Sequence, residues 1–178
     1  MRVSKGFDSF SYLLDLEEFE VVHVTDSSEQ PVRCFTVIPR MRAALCPSCG
    51  TASAERQQTR ERTVLDLPMA GHRTELNVRV WQFHCARCDQ CFTPPFAAIA
   101  EGTHATERLL ERAAVLIRSS GIAHAAAFFG IPEKTLERWY YEYVERKAQS
   151  PAVPRQPIRS LGIDELSLKK NTDSSAAC

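Results

Sequence analysis

The sequence predicts an α+β protein, with strands in its first half and helices in its second. Residues 1–100 contain short β-branched and aromatic runs separated by polar turns, a pattern that is typical of strands. Residues 103–148 instead repeat apolar side chains every three or four positions, which indicates amphipathic helices. Paired cysteines within the β-rich part indicate a metal site there, because their spacing suits a shared metal ion.

Composition narrows the class of protein. A chain of 178 residues with 44% hydrophobic content has room for one or two small domains. No apolar run approaches the length of a membrane span and the N-terminus lacks a signal-peptide pattern, so we expect a cytoplasmic protein that does not contact membranes. The net charge is zero, yet residues 39–89 hold eight basic and five acidic side chains. Such an excess occurs on ordinary solvated faces and also at sites that contact phosphate.

The N-terminal segment, residues 1–45, is predicted to contain a β-hairpin. Its strands are FEVVHV and VRCFTVI, and the polar stretch TDSSEQP separates them. Cys34 lies within the second strand and is expected to be a packed thiol. The preceding LLDLEEF fits either a helical turn or an extended lead-in.

Residues 46–100 are predicted to form a zinc ribbon. Seven cysteines in a chain without an export signal point to metal binding rather than disulfides. Two CxxC knuckles stand 35 residues apart, with a hairpin pattern between them, TVLDL and ELNVRVWQF. Such knuckles present four thiolates to one Zn²⁺ ion tetrahedrally. The candidate ligands are Cys46, Cys49, Cys85 and Cys88, and Cys91 is an alternative to Cys88.

Residues 103–148 are predicted to form three helices arranged as a helix-turn-helix DNA-binding module. Thr106 suits the cap of the first helix and Gly121 its end. The second helix is expected over residues 122–129, and the third follows Gly130 and Pro132. In that arrangement the exposed start of the third helix meets base edges and phosphates in the major groove. The predicted DNA-binding residues are Glu133, Lys134, Thr135 and Arg138. An aromatic-rich helical hairpin used only for packing is the alternative.

Beyond the helices, a Pro-rich linker is predicted over residues 149–157. A short segment with one strand is predicted over residues 158–178. Ile163 and Leu166 flank the acidic pair Asp164 and Glu165 in LGIDELSL. A lone strand does not form an independent domain.

The order of these features resembles the N-terminal portion of bacterial insertion-sequence transposases of the ISL-three family. The matching stretches are CPSCG, FHCARC, the helix-turn-helix pattern and LGIDELSLKK. The resemblance implies that the ribbon and helices bind the terminal inverted repeats of the element. It also implies that residues 158–178 begin a ribonuclease-H-like domain, with Asp164 as the first acid of a DDE triad that uses Mg²⁺ in the intact enzyme.

The sequence therefore predicts a truncated transposase that binds double-stranded DNA through a zinc-dependent module and does not transpose DNA alone. Its expected partners are the terminal repeats, with a second copy or an intact transposase as a possible protein partner. The alternative is a stand-alone transcriptional regulator with the same two modules. A third hypothesis is an interaction module whose ribbon binds another protein.

Overall fold

The computed structural model describes residues 6–26 and 31–149, with side chains from residue 9 onward. The predicted linker and the segment 158–178 therefore lie outside the described residues, apart from residue 149. The elements in chain order are α1 Gly6–Leu14, β1 Phe19–Asp26, β2 Val32–Pro39, β3 Ala44–Leu45, β4 Ala52–Ser53, β5 Arg56–Met69, β6 His72–Cys85, β7 Gln90–Phe92, α2 Glu107–Ser120, α3 Ile122–Phe129 and α4 Glu133–Gln149.

One sheet joins the N-terminal hairpin to the ribbon hairpin. β1 and β2 pair antiparallel, which confirms the predicted hairpin, and β5 and β6 form the second antiparallel pair. β2 and β6 then pair in parallel, so the strand order is β1-β2-β6-β5, with β7 added beside the end of β6. The sheet thus crosses the boundary that the sequence placed between residues 45 and 46. Ahead of it, α1 ends at Leu14, so only the first two residues of LLDLEEF are helical and a turn leads from them into β1.

β6 buries opposite faces along its length. Leu76, Val78 and Val80 point into the main core, as their alternation predicts, together with Phe19 of β1 and Phe35 of β2. Further along, the opposite face is buried around the cysteine knuckles. That second, smaller core contains Cys46, Phe83, Cys85 and Phe92. The same strand therefore supports both the sheet core and the cysteine cluster, because side chains alternate between the two faces of a strand.

The three predicted helices are confirmed, with boundaries close to those expected. The Thr106 hydroxyl caps α2 by accepting a hydrogen bond from the Leu109 backbone N–H at 3.3 Å. Gly121 ends α2, and Gly130 ends α3 in a left-handed conformation with φ of 64°. Leu136 and Trp139 of α4 are buried against α2 and α3. These aromatic and apolar side chains therefore form the core of the helical unit.

A buried carboxylate ties the helical unit to the β5–β6 hairpin. Asp66 of β5 accepts hydrogen bonds from the Thr106 hydroxyl at 2.7 Å and from Arg108 Nε at 2.8 Å. Near the hairpin turn, Arg73 Nη1 donates to the carbonyl of Gly130 at 3.1 Å. The helices consequently contact the turn end of the hairpin, whereas the cysteines lie at its open end.

Candidate metal centre and nucleic-acid interface

The two cysteine knuckles have the same backbone geometry. The N–H of Gly50 bonds to the carbonyl of Cys46 at 2.9 Å, and the N–H of Asp89 bonds to that of Cys85 at 2.8 Å. Both residues that follow the second cysteine have positive φ, 71° at Gly50 and 54° at Asp89. Glycine adopts this conformation freely, and aspartate tolerates it better than most residues. Each turn therefore directs two sulfur atoms to the same side.

The four predicted cysteines come together as one cluster. All four Sγ atoms of Cys46, Cys49, Cys85 and Cys88 lie within 4.8 Å of one another. Three Sγ···Sγ distances between the knuckles are 3.4 Å for Cys46–Cys88, 3.5 Å for Cys49–Cys85 and 3.8 Å for Cys49–Cys88. A tetrahedral ZnS₄ site with Zn–S bonds of about 2.3 Å has sulfurs about 3.8 Å apart. The donor set and its size therefore fit a structural zinc ion.

Cys91 is separate from this cluster. It lies in β7, where it pairs with His84 of β6, and its side chain is exposed. The group of candidate ligands in the described part of the chain includes Cys88 and not Cys91. Cys34 lies in β2, where burial raises the pKa of its half-buried thiol.

Hydrogen bonds shift the pKa values of two thiols in the cluster in opposite directions. Contacts with the hydroxyl and then the backbone of Thr51 lower the pKa of Cys49 to about 6. The bond with Cys46 and then burial raise the pKa of Cys88 to about 12. Four adjacent sulfurs cannot all carry a full negative charge without a cation among them, and Zn²⁺ supplies that charge when it is bound.

Polar side chains around the knuckles form a support that the sequence analysis missed. His84 hydrogen-bonds Asp89 at 2.9 Å and Glu55 at 3.2 Å, and these carboxylates raise the pKa of the imidazole. Ser48 of the first knuckle donates to Gln90, just after the second, at 2.7 Å. The Ser48–Gln90 bond links the two knuckles, and the His84 bonds hold the second knuckle and the segment before β5 together. The histidine in FHCARC could have indicated this support from the sequence, because it directly precedes a candidate ligand.

The predicted DNA-binding residues lie together at the start of α4. Glu133, Lys134 and Arg138 are exposed, and Thr135 is half-buried. Lys134 and Arg138 are four positions apart and so lie on the same side of the helix. Arg138 Nε is 3.9 Å from Glu142 Oε1, and its side chain is 63% exposed. The basic groups are therefore available to a ligand.

The predicted catalytic residue Asp164 lies outside the described residues. Within the described ranges, the cysteine cluster is the one group of three or more cysteine, histidine or acidic side chains with its donor atoms close enough to share a metal ion. None of the described helices combines the length and the apolar character that crossing a membrane requires.

Comparisons with known proteins agree with this geometry. Residues 42–88 match the family model described as the zinc-finger of transposase IS204/IS1001/IS1096/IS1165. The chain is also 29% identical over 154 residues to the transposase for insertion sequence element IS1001 of Bordetella parapertussis. That alignment covers 80% of this chain and 35% of the relative, so the chain spans about a third of the relative's length. No solved structure matches the chain significantly. Residues 42–88 are thus similar to the zinc ribbon of the ISL-three type of insertion-sequence transposase, and the chain is similar to one such transposase over most of its length.

Proposed function

We propose that this chain is a zinc-dependent DNA-binding part of an insertion-sequence transposase, and that it recognises the terminal inverted repeats of its element. The four-thiol cluster within the matched ribbon carries the proposal. The ribbon hairpin extends from this cluster to the helical unit, where Asp66 and Arg73 contact α2 and the turn before α4. A folded ribbon therefore supports the position of the helices.

In the proposed complex, α3 and α4 act as a helix-turn-helix. Ala126 is small and buried, so that the helices cross closely, and Gly130 makes the turn between them. The start of α4 would enter the major groove, where Lys134 and Arg138 donate hydrogen bonds to guanine acceptors or phosphates. Thr135 and Glu133 would contact neighbouring base edges. The buried Leu136 and Trp139 hold this surface outward.

Zinc would have a structural role. Bound by Cys46, Cys49, Cys85 and Cys88, it would fix both knuckles and so the open end of the hairpin. It would close the coordination shell with four protein ligands, and such sites stabilise a fold rather than activate water. Loss of the ion would release the second, smaller core around Phe83 and Phe92.

The activity proposed for the described residues is binding, not strand cleavage or joining. Phosphoryl transfer with two metal ions needs several carboxylates held together. The clustered donors of the described residues are thiols. The resemblance implies that Asp164 is a catalytic acid and that Mg²⁺ is a cofactor of the intact enzyme. We propose that the bound chain occupies the element's ends and so competes with an intact transposase, or assembles there with a second copy.

A mobility-shift titration tests the sequence-reading role of α4. The probes are a terminal-repeat duplex of the element that encodes the chain and a scrambled duplex of equal length. The double substitution K134A/R138A should lower the preference for the terminal repeat at least tenfold, since each lost base contact costs about 1–3 kcal/mol. K147A removes one charge at the other end of α4 and serves as the control. Equal binding of both duplexes by the unaltered protein would contradict the proposal.

A further inference from the structure

A cleft beside the ribbon gathers three arginines that the proposed function does not use. Its volume is about 360 Å³. Arg40 and Arg42 line it from the segment between β2 and β3, Arg56 from the start of β5, and Trp81 from β6. Glu20 is the one acidic residue among its lining side chains. The cleft therefore carries an excess of positive charge.

Two of these arginines are held in place by the protein. The guanidinium carbon of Arg56 lies 3.4 Å from the centroid of the Trp81 ring, a close cation–π contact. Arg40 Nε donates to the backbone carbonyl of Phe19 at 2.9 Å. Both side chains are therefore ordered in advance, which reduces the entropy lost when they bind a ligand.

The cleft arginines also differ from Arg33 and Arg79 of the sheet, which both have an anionic partner. Arg33 pairs with Asp26, and Arg79 pairs with Glu61, each at 2.7 Å. Among the described residues, none of the three cleft arginines forms a salt bridge. Uncompensated, pre-ordered guanidinium groups suit an external anion.

The chemistry of the cleft favours the backbone of duplex DNA. Guanidinium groups donate paired hydrogen bonds that match the oxygens of a phosphodiester. Single-stranded sites add exposed aromatic rings on which bases stack. Here Arg56 lies over a face of the Trp81 ring and the residue also packs against the smaller core, so the ring is not free to stack on a base. The three arginines come from two separate segments along an open surface, which suits a continuous polyanion.

We propose that Arg40, Arg42 and Arg56 form a second DNA contact, which binds backbone phosphates of duplex DNA independently of the bases read by α4. This inference rests on the proposed function. It attributes to the ribbon side of the molecule a part of the DNA affinity that does not depend on the base sequence of the duplex.

The salt dependence of binding to the scrambled duplex tests this contact. Each phosphate contact contributes about 0.9 to the slope of log affinity against log salt. R42Q/R56Q should reduce the magnitude of this slope by about 2. The double substitution should also weaken binding to the scrambled and terminal-repeat duplexes by the same factor. R33Q/R79Q removes the same charge from ion-paired positions and should leave the slope unchanged. Zinc content and circular dichroism of each variant verify that it is folded.

The outcomes separate this inference from the proposed function. An unaltered slope in folded R42Q/R56Q, with terminal-repeat binding still sensitive to K134A/R138A, would overturn the second contact alone. An equal loss of slope in R33Q/R79Q would also overturn it, because net charge would then explain the effect. Calorimetric binding of inorganic phosphate that depends on Arg42 and Arg56, without a change in the duplex slope, would assign the cleft to free phosphate instead.

Discussion

At the scale of single residues, the carboxylate of Asp66 connects the sheet to the start of α2. Its side chain is fully buried and accepts hydrogen bonds from Thr106 and Arg108. A buried carboxylate is costly unless its oxygens are satisfied, and here all of its partners come from the start of α2. Asp66 thus joins the sheet to the helices.

Substitution of Asp66 tests this junction. D66N keeps the shape of the side chain but leaves Arg108, which is 28% exposed, without its counter-charge. We expect the free energy of unfolding to fall by about 2 kcal/mol in urea titrations. D26N removes the exposed partner of Arg33 and should leave the unfolding midpoint unchanged. Equal effects of the two substitutions would refute a special role for Asp66.

Gly130 is the residue on which the turn before α4 depends. Its φ of 64° lies in the left-handed region, and an added Cβ would meet the nearest atom, Arg73 Nη1, at an ordinary 3.9 Å. The cost of G130A is therefore conformational rather than steric, and we expect a loss of about 1 kcal/mol in stability. G130N should lose less, since asparagine tolerates this conformation. A larger loss in G130N than in G130A, measured by thermal unfolding, would argue against this explanation.

At the scale of elements, the two knuckles act as matched turns at the open end of one hairpin. The sequence predicted the two knuckles correctly, because CxxC is a local pattern. It did not predict that Asp89 repeats the left-handed geometry of Gly50, since aspartate adopts positive φ only in a minority of cases. The position of Cys91 on β7 likewise depends on strand pairing, which the short run QCF does not reveal.

Paired substitutions separate Cys88 from Cys91 as a zinc ligand. C88S should lose most of the bound zinc and unfold at lower temperature, because the remaining three thiolates leave the coordination shell open. C91S should bind one zinc ion per chain, the stoichiometry that we also expect for the unaltered protein. Zinc content by mass spectrometry, combined with competition by a chelator, checks both. Zinc loss in C91S but not in C88S would assign the fourth ligand to Cys91.

At the scale of the whole molecule, local signals predicted much of the fold and non-local pairing accounts for the rest. Thr106, Gly121 and Gly130 mark helix ends through their own capping chemistry, so the helices were predictable. The parallel pairing of β2 with β6 joins segments about 40 residues apart and has no turn signature. The arginine cleft was hidden for the same reason, since Arg42 and Arg56 meet only after the sheet has formed. The cysteine cluster was predictable because two CxxC pairs on both sides of a hairpin pattern are typical of a zinc ribbon.

This architecture makes the ribbon and the helices parts of one structure. The β5–β6 hairpin contacts the helices at one end and the cysteines at the other, so an order-to-disorder change at the knuckles should weaken the support of α4. If the chain binds DNA as proposed, recognition of that DNA should therefore require zinc.

Fluorescence anisotropy of a labelled terminal-repeat duplex, titrated with zinc-loaded, zinc-stripped and zinc-reloaded protein, tests this requirement. Zinc removal should abolish preference for the terminal repeat over a scrambled duplex, and reloading should restore it, because metal binding is coupled to folding of the ribbon. Binding by the stripped protein with unchanged affinity and preference would show that DNA recognition does not require zinc.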